Sequence, residues 1–377
     1  LYGLSVYPGV RLLSDMRICH ITTVHKPFDG RIFHKECKSL AQGGHEVFLV
    51  APAEKDELVD GVKLKAIRRI SNPYKRIIIA PFIAFKEALK THARVFHLHD
   101  PELLPAGFIV SLLGKKVIFD SHEHVGKQIL SKTWIPTRFL RELASLTYNF
   151  FEKLFTVFYT GIIHADDNTN AFTHKKKVIT IHNYPILSYI EDNTYQVIPK
   201  NSDIVLIYAG GLTRIRGIKE MVIAMRDIDA RLWLLGPWES ESYKNECEEL
   251  QSWSRCDYYG EVPFGRQYDY FRAADIGMAT LYPEKNYLKS QPVKAFEYMA
   301  CGLAIVMSNF EYWKKLYGDF AYYVDPFSPD DIASKVNKII SEKDRLSEIR
   351  QAGIEKVKTE YSWEQESKKL LAFYETI

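Results

Sequence analysis

Two Rossmann-like, doubly wound α/β domains in tandem are the fold that three observations predict. These are the length of the chain, an alternation of short β-branched apolar runs with amphipathic stretches, and a restart of that alternation after a polar break. At 377 residues the chain is too long for one ordinary core, and it suits two domains of roughly 150 to 200 residues. Hydrophobic residues make up 46% and charged residues 26%, a balance that excludes the disordered and membrane-embedded classes.

In the first half, the apolar runs at 17–22, 46–51, 95–99 and 116–121 read as strands, with 162–165 and 178–182 completing the sheet. Residues 31–41 between the first two carry a helical pattern that Gly43 and Gly44 close. Periodicity is lost after Pro185, and the polar, proline-containing stretch 188–202 reads as a linker. The pattern then restarts. Strands are predicted at 204–209, 231–235, 258–262, 276–280, 304–307 and 321–324. Helices are predicted from 218 and at 243–253, 267–274 and 293–300, with three more toward the C-terminus. The domains are accordingly drawn at 16–190 and 200–360, with a ligand cleft expected between the carboxyl ends of the two sheets. Residues 1–15 lack the charged start and long apolar centre of a signal peptide and are left out of the fold reasoning.

The formal charge of +3 is too small to argue for nucleic acid, which is not an expected partner. Its distribution is more telling: between Gly61 and Leu98 there are nine Lys or Arg residues against one acid, Glu87, interleaved with Ile77, Ile78, Ile79, Phe82, Ile83 and Phe85. This is the composition either of a basic amphipathic helix packed on its own domain or of a surface that meets anionic lipid. Five widely spaced cysteines without a Cys-x-x-Cys pair suggest neither disulfides nor zinc, so a reducing cytoplasm is expected.

The strongest chemical motif is Ser290-Gln-Pro-Val-Lys-Ala-Phe-Glu-Tyr-Met-Ala-Cys-Gly302, in which Pro292 opens a helix and Gly302 ends it. A helix beginning at a strand's carboxyl end turns free N–H groups and a positive dipole end toward an anion such as a diphosphate. Ser290 precedes that start, Lys294 adds charge in the first turn, and Glu297, one turn on, can accept two hydroxyl hydrogen bonds from a ribose. In Tyr208-Ala-Gly-Gly-Leu-Thr-Arg-Ile-Arg-Gly217, Gly210 and Gly211 let backbone approach a ligand, while Arg214 and Arg216 offer forked donors to phosphate oxygens. Neither a Walker loop nor a dinucleotide fingerprint follows a strand, so ATP hydrolysis and hydride transfer lack their usual motifs.

In the first half, His97-Leu-His-Asp-Pro-Glu102 and Asp120-Ser-His-Glu-His124 both lie where a strand gives way to a loop. His99, Asp100 and Glu123 are candidate partners for acceptor hydroxyls. A metal reading of these histidines is set aside because no cysteine joins them, and no metal ligand is expected. Lys26-Pro-Phe-Asp-Gly-Arg31 is a further anion-capable turn leading into a helix.

Taken together, these segments resemble glycosyltransferase family four, the retaining GT-B enzymes that build bacterial polysaccharides, lipopolysaccharides and glycolipids. The resemblance runs from about Met16 to Ile377 and is specific at Phe296-Glu-Tyr-Met-Ala-Cys-Gly302, Leu234-Leu-Gly-Pro237, Ala274-Asp-Ile-Gly277 and Tyr361-Ser-Trp-Glu364. It implies that Glu297 binds the nucleotide ribose, that Arg216 and Gly210 serve the diphosphate, and that His122 lies near the reacting sugar. It also implies that Asp29, Gly30 and Arg31 form a loop at the donor phosphates and that a final helix, 363–377, crosses back to the first domain. Two positions depart from the family pattern: Lys289 stands where the first glutamate of Glu-x7-Glu is usual, and Gly211 where an arginine is. Arg214 or Lys294 is expected to replace that arginine.

The resemblance implies transfer of a hexose or N-acetylhexosamine, with UDP favoured over GDP, to a glycan or lipid-linked acceptor with retained configuration. The nucleotide sugar is a substrate and no cofactor is expected. Arg214, Arg216 and Lys294 would stabilise the leaving diphosphate without Mg²⁺, and His122 would position the sugar. Two rivals are weighed: a nucleotide-sugar epimerase on the same fold, and a non-catalytic homologue acting as a binding subunit. The basic apolar stretch around 75–90 and the aromatic run 134–159 fit either peripheral contact with the anionic inner face of the membrane, and so a lipid-linked acceptor, or aromatics packed in the core.

Overall fold

The computed structural model describes residues 16–121, 125–131, 135–165, 177–191, 196–285 and 287–377. Its contacts divide the chain into two compact units, one running up to Asn183 and including Glu366–Ile377, the other Tyr184–Gln365. The division falls at Asn183/Tyr184, ahead of the stretch 188–202 read as a linker. Tyr184 is buried edge-on against Phe296 and Tyr361, and Leu187, Tyr189 and Ile190 pack on the second unit's core. The turn of helix Leu187–Glu191 is therefore part of the second unit rather than a tether.

The first unit is built on an eight-stranded sheet in the order β3-β4-β2-β1-β5-β6-β7-β8. Its strands are β1 (Arg17–Ile21), β2 (Glu46–Pro52), β3 (Glu57–Val59), β4 (Val62–Ile67), β5 (Val95–Leu98), β6 (Lys116–Ser121), β7 (Gly161–His164) and β8 (Val178–Thr180). All neighbours are parallel except β3 and β4, an antiparallel pair absent from the sequence reading. Asp60 and Gly61 join these two strands, both in the left-handed region at φ 51° and 81°. The buried face of β4 is carried by Val62, Leu64 and Ile67 alone, too thin an alternation to stand out amid the basic residues.

Residues 31–41, read as one helix, form a π-helical stretch, Ile32–Cys37, running into Lys38–Gln42 and closed by Gly44 at φ 90°. The C-terminal helix Trp363–Glu375 begins in the second unit, where Trp363 N donates to Pro185 O at 2.8 Å. From Glu366 onward it belongs to the first unit, with Leu370 and Tyr374 fully buried.

The second unit is a six-stranded, all-parallel sheet in the order β11-β10-β9-β12-β13-β14. Its strands are β9 (Val205–Ala209), β10 (Arg231–Leu235), β11 (Cys256–Gly260), β12 (Ile276–Ala279), β13 (Ala304–Ser308) and β14 (Ala321–Val324). Helices cover both faces, burying Leu206, Tyr208, Leu232 and Leu234 on one side and Ile207, Trp233 and Leu235 on the other. This explains why the strands read as continuous apolar runs rather than alternating ones. Strand order reverses between β9 and β12, which places a topological switch point at the carboxyl ends of these two strands. Among the described residues no helix is long and apolar enough to cross a membrane.

Candidate functional site

The carboxyl end of β9 is shaped by two glycines in close contact. Gly210 N donates to Leu235 O at 2.8 Å, and both Gly210 and Gly236 adopt φ of 133°. A Cβ on Gly236 would lie 2.0 Å from the Gly210 carbonyl oxygen, so no side chain fits there. On its other side Gly210 faces two cations: a Cβ at this position would meet Lys294 Nζ at 2.6 Å and Arg216 Nη1 at 2.9 Å.

Each cation reaches this point by a separate local device. Arg216 ends a 3₁₀ turn, Arg214–Arg216, that Gly217 terminates at φ 66°. Its Nη1 donates to Tyr208 Oη at 3.3 Å and to Gly211 O at 3.5 Å. Lys294 lies in the first turn of the helix Val293–Ala300, with Pro292 as its N-cap, and its ammonium sits 4.2 Å from the centre of the Tyr208 ring. Among the described residues neither cation makes an ion pair with a carboxylate. Burial and then the charge of Arg216 pull the Lys294 ammonium down to about 7, with Glu297 acting the other way. Glu297, one turn further along the helix, accepts a hydrogen bond from Tyr268 Oη at 2.9 Å. Two convergent cations without carboxylate partners, followed by a carboxylate on the same helix, can take up a polyanion that carries hydroxyl groups.

The remaining predicted donor residues divide. Gly211 contributes its carbonyl to the Tyr208 and Arg216 contacts. Ser290 directs its hydroxyl at Tyr287 O, 3.4 Å away, while its carbonyl accepts from Trp313 Nε1 at 2.8 Å. The Pro292 carbonyl accepts from Tyr317 Oη at 3.0 Å. Arg214 is not where the sequence reading put it: it is exposed, pairs with Glu246 through both terminal nitrogens and lies over the Tyr243 ring at 4.6 Å. Tyr208, Tyr268 and Gly236 were missed as site residues. All three lie in or beside quoted or predicted elements, but only the fold shows that they face the same strand ends.

In the first unit the predicted loop turns inward. The buried Arg31 guanidinium grips both Asp120 oxygens at 3.0 Å, donates to Ile181 O at 2.9 Å and lies 3.0 Å from Glu36 Oε1. Asp29 Oδ1 accepts from the N–H groups of Arg31 and Ile32 at 2.8 and 2.9 Å, which with His25 nearby holds its carboxyl well below the usual range. Gly30 sits between them. Of the residues expected at the donor phosphates, the Arg31 side chain is thus engaged in a buried ion pair and that of Asp29 in the start of a helix.

His99 and Asp100, read as acceptor partners, are also buried within the unit. Asp100 Oδ2 accepts from Thr22 Oγ1 at 2.8 Å and Thr23 N at 2.6 Å, and His99 Nε2 meets His20 Nδ1 at 2.9 Å. They fix the β1 and β5 ends rather than present themselves to solvent. His122 and Glu123 lie outside the described residues.

Against this geometry the comparisons with known proteins can be set. The family model described as Glycosyl transferases group 1 matches residues 171–356, and that described as Glycosyltransferase Family 4 matches residues 30–183. The chain belongs to this glycosyltransferase family. Solved structures carry the same GT-B fold. A sucrose-phosphate synthase from Thermosynechococcus elongatus superposes with a TM-score of 0.75 at 15% identity, over 96% of this chain and 98% of that one. A glycosyltransferase from Rickettsia africae ESF-5 gives 0.71 at 13% identity over 96% and 98%. HepE of Anabaena in complex with UDP-glucose gives 0.70 at 13% identity over 96% and 100%. A search of the curated proteins finds no match.

In this glycosyltransferase, then, Arg31 is a framework residue. Replacing it by Met strands a buried Asp120 charge, and Arg31→Met is expected to lose about 3 to 5 kcal/mol of stability in chemical denaturation. A variant that keeps wild-type stability would contradict the assignment.

Proposed function

We propose that this glycosyltransferase transfers a hexose or N-acetylhexosamine from a nucleotide diphosphate sugar, UDP favoured, to a glycan or lipid-linked acceptor with retained anomeric configuration, in the assembly of bacterial surface polysaccharide or lipopolysaccharide. The observation that carries the donor half is the convergence of Lys294 Nζ and Arg216 Nη1 on Gly210 at the β9/β12 switch point. In this reading the diphosphate lies against Gly210 between the two cations, and Glu297 accepts the ribose hydroxyls. Glu297 is already oriented by Tyr268, which donates to its Oε1 at 2.9 Å. Two solved structures of the same fold support UDP as the nucleotide: HepE of Anabaena was solved with UDP-glucose, and a protein of E. coli described as trehalose-6-phosphate with UDP-2-fluoro glucose.

The chemistry follows from where charge develops. As the bond between the anomeric carbon and the diphosphate breaks, the sugar becomes cationic and the phosphate oxygens gain negative charge. Arg216 and Lys294 stabilise that charge more in the transition state than in the bound donor, which is the condition for faster chemistry rather than tighter binding. The acceptor hydroxyl attacks on the face the diphosphate leaves and hands its proton to the departing phosphate, so configuration is retained and no protein base is needed. Because the protein supplies both cations, Mg²⁺ is not required for this step. Arg214 is no longer assigned to the donor, since Glu246 holds it.

The lipid-linked acceptor is supported by the surface of the first unit. The helix Pro73–Leu89 buries Ala80, Ala84, Phe85 and Ala88 but exposes Ile78 and Phe82 at 66% and 72%, beside Lys75, Arg76 and Lys86. The helix Arg138–Thr156 leaves Phe139, Leu143, Leu146, Phe150 and Leu154 outward, one stripe at spacings of three and four. Apolar side chains among lysines and arginines suit the headgroup region of an anionic bilayer.

Two experiments test the reading. A thermal-shift and calorimetric screen of UDP, GDP, CDP and ADP with EDTA present is expected to find one nucleotide family, UDP first, with affinity reduced about 10- to 100-fold in Glu297→Ala. Failure of every nucleotide to bind would contradict the donor assignment. In flotation with vesicles containing anionic phospholipid, the wild type is expected in the lipid fraction and the Ile78→Ser/Phe82→Ser variant is not. Absence of the wild type from lipid at low salt would contradict the membrane assignment.

A further inference from the structure

The first unit holds a cluster that neither the donor site nor the acceptor surface uses. His20 from β1, Glu36 from the π-helical stretch, His97 from β5 and His99 just beyond it bring one donor atom each within 4.8 Å of one another, and all four side chains are fully buried. Glu36 Oε2 stands 3.9 Å from His20 Nδ1, 3.8 Å from His97 Nε2 and 3.9 Å from His99 Nε2. These gaps are too long for hydrogen bonds. Buried polar atoms in native proteins almost always find a partner. Yet Glu36 Oε2 and His97 Nε2, which face each other, have no hydrogen bond, while the other carboxylate oxygen, Oε1, is paired with Arg31 Nε at 3.0 Å.

Metal coordination accounts for this convergence. Four donors at about 2.1 Å from a tetrahedral ion stand about 3.4 Å from one another; four of the six donor pairs here stand 2.9 to 3.9 Å apart, and all six lie within 4.8 Å. The outer contacts also have the form that metal ligands require. His97 Nδ1 lies 2.8 Å from Tyr374 Oη, which fixes the ring with Nε2 toward Glu36. His99 Nδ1 faces Asp120 Oδ2 at 3.5 Å, and Asp120 is itself clamped by Arg31. Three imidazoles and one carboxylate favour Zn²⁺ among the common divalent ions, since Mg²⁺ and Ca²⁺ prefer an all-oxygen shell.

We propose that His20, Glu36, His97 and His99 bind one structural Zn²⁺ ion inside the first unit. With every ligand enclosed there is no open coordination position for a substrate, so the ion's role is to tie β1, β5 and the π-helical stretch together. The C-terminal helix joins this assembly through Tyr374. The sequence reading paired His97 and His99 with the histidines after β6 and dismissed a metal. His20 and Glu36 could not be picked out by spacing, because they come from two other elements.

The test uses the full chain, expressed without a histidine tag. Elemental analysis after gel filtration is expected to give close to one zinc per chain, and slow removal by a strong chelator at raised temperature is expected to lower Tm by about 5 to 10 °C. Protein produced in cobalt-supplemented medium is expected to show the visible absorption bands of four-coordinate Co²⁺, lost in His97→Ala. Should that variant fail to fold, wild-type zinc content and the cobalt spectrum decide alone. Less than about a tenth of an equivalent of zinc, with no visible bands from cobalt-grown protein, would overturn the proposal and leave the cluster a hydrogen-bonding network completed by water.

Discussion

Two positive charges held side by side at the end of β9 are the constraint around which the second unit is arranged. Unit charges about 4 Å apart interact by roughly 4 kcal/mol at the dielectric typical of a protein surface, and the ammonium of Lys294, brought down to about 7 by burial and by Arg216, registers that repulsion. The pair is tolerated because the Tyr208 ring lies against one cation and its hydroxyl accepts from the other. Gly210 matters for the same reason, since any side chain there would occupy the place where both charges converge, and Gly236 matters because a side chain on it would strike the Gly210 backbone. A doubly charged ligand relieves the repulsion and gains two charge-assisted contacts at once, which is why the site is read as the seat of a diphosphate.

The first unit shows the opposite arrangement, with its charges neutralised internally. Arg31 is locked on Asp120, Asp29 on the backbone that opens the π-helical stretch, and Asp100 on Thr22 and Thr23. Groups so paired hold the ends of β1, β5 and β6 in place. What this unit offers outward is instead apolar and basic, on the helices Pro73–Leu89 and Arg138–Thr156. The division of labour is therefore electrostatic: among the described residues one unit keeps two cations without carboxylate partners, and the other commits its polar residues to its own framework.

Much of this was legible in the sequence, and the exceptions have physical causes. Strands of a parallel sheet covered on both faces are short, continuous and apolar, so 231–235, 321–324 and the helix 293–300 were placed to the residue. Gly210, Arg216, Lys294 and Glu297 could be picked out because glycine after a strand and a basic helix start carry their chemistry in local order. Arg214 could not be told from Arg216, since the distinction depends on Glu246, far along the chain. Arg31, His99 and Asp100 look like surface groups in sequence because polarity is local information whereas burial is not. Their partners, Asp120, His20 and Thr22, come from other strands. The short β3–β4 pair escaped because three buried positions are too few to establish a period.

The measurement that bears most directly on the central claim is calorimetric titration of UDP at pH 8.5 in two buffers of different ionisation heat. UDP is fully ionised there, while Lys294, at about 7 in the free protein, is largely neutral. If a diphosphate settles between Lys294 and Arg216, its charge raises the lysine back above the working pH, and binding takes up close to one proton. Lys294→Met should abolish that uptake and weaken UDP about 10- to 100-fold, with much less effect on UMP. Binding of UDP without proton uptake, or with wild-type affinity in Lys294→Met, would contradict the account.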